Sequence, residues 1–205
     1  MAFLRERQIE SPHPEASRFF APPKGLKYLT FGFQEVVADG LWLRFIQDLD
    51  RCQNFQPVED PKQCHKGWGY TMLLTIHELA PRFRIPMAVG PMSLSVLQND
   101  YEGAGELFVV AANSFPNDWP ILYRAAYHFL YEGKDPAKAA EYLSQASKAG
   151  GPWWLESLAA RMYEKDGQLE LALRTLTEYR KGLEDPEYAQ KVDERIKSLK
   201  EALSP

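Results

Sequence analysis

Three alanines, Ala104, Ala139 and Ala172, stand 35 and 33 residues apart, and four residues beyond each comes a large apolar side chain, Phe108, Leu143 and Leu176. Three positions further lie Ala111, Ala146 and Tyr179, and a proline closes each stretch at Pro116, Pro152 and Pro186. Steps of four and seven place these residues on one face of a helix. A recurrence of about 34 residues is the length of two short helices and their turns. A helix pair of that size cannot bury its own apolar face, so each copy must stack on its neighbours, which predicts an all-α solenoid.

The periodicity organises most of the chain. Residues 1–24 hold Pro12, Pro14, Pro22 and Pro23 among polar residues and are expected to form an extended arm. Apolar residues from Leu26 to Leu49 recur at three- and four-residue steps and predict one long helix over 26–50. A polar loop, 51–66, then leads to a second helix that begins near Trp68 and closes at Pro81. Counting back 35 residues from Ala104 reaches Gly69, with Leu73 and Ile76 at the matching apolar positions, so this first pair is a divergent copy with a stretched loop.

Further pairs are expected at 85–98 with 101–113, at 120–131 with 136–149, and at 153–165 with 169–181. Asn99-Asp100, Gly133 to Pro136, and Asp166-Gly167 supply their turns. Pro91 falls inside one of these helices and predicts a kink. The repeat region is thus placed at 25–183. After Pro186, Tyr188, Val192, Ile196, Leu199 and Leu203 line one face and charged residues the others, which predicts a capping helix within 184–205.

Two stretches carry a more specific pattern. Leu122, Ala125, Ala126 and Phe129 are followed thirteen residues after the second small residue by Ala139; Ala159, Ala160 and Tyr163 are followed at twelve by Ala172. Paired small residues let two helices approach closely, and the aromatic three residues on fills the groove beside them. This pattern resembles the tetratricopeptide repeat, most clearly over 118–181, with Met92 and Ser95 in the small and aromatic places of the preceding copy. The resemblance implies a right-handed α-solenoid of about four helix pairs that acts as a non-catalytic scaffold, holding a protein or peptide in a concave groove lined by the first helix of each pair. More loosely, residues Ala38 to Arg44 and the Leu79–Pro81 turn resemble bacterial repeat proteins that often carry an N-terminal anchor. The alternative function is therefore a membrane-tethered structural subunit of a bacterial envelope assembly.

Tyr123, Tyr127 and Tyr131 fall at four-residue steps on the helix face opposite Leu122, Ala126 and Phe129. Tyrosine offers contact area at low entropic cost, which makes these residues candidates for partner binding; packing against neighbouring repeats, with only the hydroxyls exposed, is the other reading. Arg124 and Arg161 are candidates to receive a partner's carboxylate, or else are solvated or internally paired charges. Trp153 and Trp154 follow a Gly-Gly-Pro turn; one is expected to be buried between repeats and the other, with Trp154 the candidate partner-binding residue, to reach the rim.

Chemistry of other kinds finds little support. His77-Glu78 lacks a second histidine four residues on, because Pro81 stands there, and no phosphate-binding loop occurs. His128 and Glu132 read as a surface pair rather than a proton-exchanging one. No enzyme activity, cofactor or metal is expected. Cys52, Cys64 and His65 supply only three of the four ligands zinc requires. Cys52 and Cys64 are assigned to a disulfide, with two unlinked thiols as the alternative; closing that loop would contribute on the order of 2 kcal/mol.

With 45% apolar and 25% charged residues the chain suits a folded domain, and its net charge of −4 with no basic stripe argues against nucleic acid as a partner. No stretch approaches the roughly 20 apolar residues of a membrane span. The run Ala2, Phe3, Leu4 before Arg5, Glu6 and Arg7 also fits the edge of a membrane tether lying outside the given sequence. The expected location is extracytoplasmic and membrane-tethered if the cysteines are bridged, and cytoplasmic otherwise.

Overall fold

The computed structural model of the chain describes residues 22–49 and 65–204. Among these residues there is no strand; a 3-10 turn at Leu26–Leu29 precedes nine α-helices. They are α1 (Gln34–Asp48), α2 (Trp68–Leu79), α3 (Arg84–Gln98), α4 (Tyr101–Ser114), α5 (Trp119–Tyr131), α6 (Pro136–Lys148), α7 (Trp154–Lys165), α8 (Leu169–Lys181) and α9 (Pro186–Leu203). The chain is all-α, as its repeat predicts. Of the proline-rich arm only residues 22–24 are described, and both Cys52 and Cys64 lie outside the described residues.

From α2 onward the helix ends follow local chemistry. Asp100, Asp118, Asp135 and Asp185 each accept a hydrogen bond from a first-turn backbone N–H of the helix that follows, which satisfies donors that have no partner within the helix. Pro120, Pro136 and Pro186 occupy first-turn positions where no amide donor is needed. Gly167 turns the chain between α7 and α8 at φ +79°, a conformation that a side chain would strain. Helix α3 remains helical through Pro91.

The single helix predicted over 26–50 is divided. Phe31 and Gly32 adopt φ of +49° and +93°, and the left-handed turn they make separates Leu26–Leu29 from α1. Leu29, Phe33 and Val36, whose spacing suggested a buried stripe, are all exposed.

The principal contacts join helices one or two places apart in the chain: each of α1 to α8 packs on the next, α2 also meets α4, and α3 also meets α5. Ala104, Ala139 and Ala172 are completely buried, as are Ala125, Ala159 and Ala160. Phe108, Leu143 and Leu176 fill the space beside them. Gly69 stands where later copies have alanine because a Cβ there would lie 2.7 Å from Gln98 Oε1 and 2.9 Å from Leu94 Cδ2.

Burial also corrects the register of α3. Pro86, Gly90, Pro91 and Leu94 are buried 35 residues before Ile121, Ala125, Ala126 and Phe129, so Gly90, Pro91 and Leu94 take the places that the sequence pattern gave to Met92 and Ser95.

Two histidines sit inside these interfaces. His128, read from its spacing as part of a surface pair with Glu132, is only 3% exposed. Its ring packs against Phe108 and Phe129, with centroids at 5.1 and 5.3 Å, while Nδ1 is buried without a partner. His77 Nε2 lies 3.2 Å from Ser114 Oγ, and its Nδ1 is likewise unpaired. Burial holds both imidazoles below their ordinary value of 6.5.

The sign of the resulting pH dependence follows directly. As pH falls through about 6.5 the unfolded chain takes up protons that these folded histidines resist, so stability present near neutrality is lost on acidification. The melting temperature followed by circular dichroism is expected to be flat from about pH 8 to 7 and to fall between about 6.5 and 5, with His128→Phe flattening part of the decline. A midpoint constant across that interval would contradict the burial of both rings.

Candidate functional site

Burial leaves each odd-numbered helix from α3 to α7 with one outward face. On α5 that face carries Tyr127 and Tyr131, which are 50% and 58% exposed and lie against each other with ring centroids 4.5 Å apart. Their rings, not merely their hydroxyls, meet solvent. Tyr123 is half-buried and meets Trp154 edge-on at 5.9 Å. Arg124 turns inward: its guanidinium donates to the Ala88 carbonyl at 3.3 Å and so ties α5 to α3. Arg161 is exposed and makes no hydrogen bond or ion pair among the described residues.

Three contacts join alternate helices in turn. Arg124 links α5 to α3, the Tyr123–Trp154 edge links α5 to α7, and an ion pair between Arg195 and Glu164 links α9 to α7. The same offsets of 35, 34 and 34 residues that align buried Pro86, Ile121, Leu155 and Ala189 also align Met92, Tyr127, Arg161 and Arg195. One step away, Val96, Tyr131 and Lys165 correspond, and all three are exposed. The face therefore changes character along the chain, from aliphatic on α3, through aromatic on α5, to cationic on α7 and α9. Ile85, Val89 and Val96, exposed on α3, extend its apolar end.

At the cationic end lies a cleft of about 310 Å³ bounded by α7, α8 and α9. Trp154 and Arg161 line it together with Trp153, Tyr179 and Tyr188. The expectation that one of the two tryptophans is buried is corrected: Trp153 is 51% and Trp154 40% exposed. Trp153 stacks on Tyr179 at 6.4 Å and meets Tyr188 at 4.9 Å, so the rings form one wall of an open cleft instead of a closed core. Lys191 and Arg195 also line it, with Leu158, Leu176 and Val192 among the remaining wall residues, and are held by Glu187 and Glu164. Hydrogen bonding to Glu187 raises the Lys191 pKa, keeping the ammonium charged.

The Tyr179 hydroxyl is closed to solvent without a hydrogen-bond partner, and burial pushes its pKa up. Sequence reasoning missed Tyr188, Lys191 and Arg195 because it treated α9 only as a cap, and Tyr179 because it placed that residue of α8 only in the packing pattern of the repeat. The 34-residue offset from Trp154 to Tyr188 and from Arg161 to Arg195 was the available signal. A larger hollow of about 580 Å³ lies beside Tyr28, Phe33 and Glu78, away from every residue selected above. No group of three His, Cys, Asp or Glu side chains able to hold a metal occurs among the described residues.

The two arginines are expected to separate in stability measurements. Arg124→Met removes a half-buried hydrogen bond and should cost about 1 kcal/mol in urea unfolding, whereas Arg161→Met should stay within about 0.5 kcal/mol of wild type. Equal effects would contradict the assignment of Arg124 to the fold and Arg161 to the surface. No family model matches the chain, and neither curated proteins nor solved structures give a significant match.

Proposed function

We propose that the chain is a non-catalytic, tetratricopeptide-like scaffold whose helix pairs form a right-handed solenoid capped by α9, and that it holds a segment of a protein partner along the outward faces of α3, α5, α7 and α9. The observation that carries this reading is the Tyr127–Tyr131 pair, two rings in tilted contact and half exposed on a helix whose other apolar side chains are mostly buried. Aromatic residues in a charge-poor surface are what the centres of protein interfaces are made of. The row is continuous with Trp154 through Tyr123, so an extended or helical segment has a track and not a single point of contact. The partner is a protein or peptide, and the reading requires no cofactor.

With p-benzoylphenylalanine in place of Tyr127, irradiation in cells is expected to trap a polypeptide that the same probe at the exposed Glu141 of α6 does not trap. Absence of any adduct specific to position 127 would remove the groove.

A second reading, a membrane-tethered subunit of an envelope assembly, draws on the other end of the chain. Tyr28, Leu29, Phe31 and Phe33 are all exposed there, and Phe31 is held at φ +49°, a strained conformation for an aromatic residue. No helix among the described residues is long and apolar enough to cross a membrane, so the tether of this reading lies elsewhere. Thiol titration of unreduced native protein tests it: a Cys52–Cys64 bridge is expected in an oxidising compartment, and two free thiols would count against that address.

A further inference from the structure

We infer that the cleft between α7 and α9 recognises acidic side chains on the partner segment, and that the segment is bipartite, with apolar side chains over α3 and α5 and acidic ones over α7 and α9. This inference rests on the groove reading above and adds the chemistry of its occupant.

Charge is the first argument. The chain carries a net charge of −4, yet the cleft is lined by Arg161, Lys191 and Arg195 with no aspartate or glutamate in its wall. Glu187 and Glu164, which stand outside the lining, are engaged by Lys191 and Arg195 and fix those two cations in place. Arg161 is left with its guanidinium unpaired beside the aromatic walls, free to pair a carboxylate. An acidic chain approaching this acidic protein meets repulsion in general and attraction here, so the cleft also sets the orientation of docking.

The second argument is the contrast along the row: α3 offers Met92 and Val96 where α7 offers Arg161 and Lys165. Two helix-to-helix steps of about 10 Å separate those ends, roughly six residues of extended chain.

The probe is therefore a capped nonapeptide of three leucines, a Gly-Ser-Gly spacer and three glutamates, with Glu→Gln and Glu→Lys versions, titrated while the emission of the cleft tryptophans is read. The acidic version is expected to bind about tenfold tighter than the other two. Arg161→Glu should invert the order, so that the lysine version binds best. Equal affinities for the three peptides, no binding of any of them, or an order unchanged by Arg161→Glu would overturn the inference. If the adduct at position 127 still forms in that case, the groove stands and only its acidic preference falls.

Discussion

Close approach of neighbouring helices at small side chains is the constraint on which the rest of this structure depends. Gly69, Gly90, Ala104, Ala125, Ala139, Ala159 and Ala172 are all buried at helix contacts, and the larger residues beside them, Leu73, Phe108, Leu143 and Leu176, occupy the space that those contacts leave. At Gly90 even a methyl group would collide with the Leu73 side chain. Because interiors are close-packed, a helix that meets its neighbours at such points has almost no freedom to rotate about its own axis. Fixing the inward residues fixes the outward ones as well, so a surface row recurs with the same offsets as the core.

That coupling explains how a face with functional character can arise without any motif of its own. Once α3, α5 and α7 have spent most of their circumference on packing, a single stripe on each is free to vary. The stripe is aliphatic at Met92 and Val96, aromatic at Tyr127 and Tyr131, and cationic at Arg161 and Lys165. A change from apolar to charged side chains across adjacent, structurally equivalent positions would give a segment held as proposed both a register and a direction. Neither property needs a deep cavity, which agrees with the open form of the cleft beside α9.

Most of the helical framework was legible in the sequence, because proline, glycine and aspartate mark the ends of α2 to α9 with little ambiguity and because alanine marks the contacts. The failures have physical causes. Periodicity alone joined Leu26 to Asp50, although Phe31 and Gly32 reverse the backbone between them and Leu29, Phe33 and Val36 meet solvent. The α3 register slipped because Gly90 and Pro91 fill the small-residue places usually taken by alanine. Arg124 was read as a partner-facing, solvated or internally paired charge and His128 as a surface group, because pattern reasoning sees which face a residue occupies but not the neighbour that covers it. Arg124 reaches the Ala88 carbonyl of another helix, and His128 lies beneath Phe108 of another still. Of the candidate site, the tyrosine row and Trp154 with Arg161 were visible; the residues that α9 contributes were not.

Helix α9 does two things at once. Its buried face, Ala189, Val192, Ile196 and Leu199, covers the last apolar surface of the stack. On the flank of that same face, Tyr188, Lys191 and Arg195 form one wall of the cleft. Ion pairs from Arg180 to Asp193 and from Arg195 to Glu164 hold the helix against α8 and α7, but they are largely exposed and contribute little by themselves. The docking of α9 therefore rests mainly on four apolar side chains, and terminal elements of stacked arrays have only one neighbour to lean on. A cleft made partly from such an element exists only while the end of the stack is closed. A ligand that bridged Arg161 on α7 and Lys191 on α9 would bind only with α9 docked, and by linkage would stabilise the terminal helix that creates its own site.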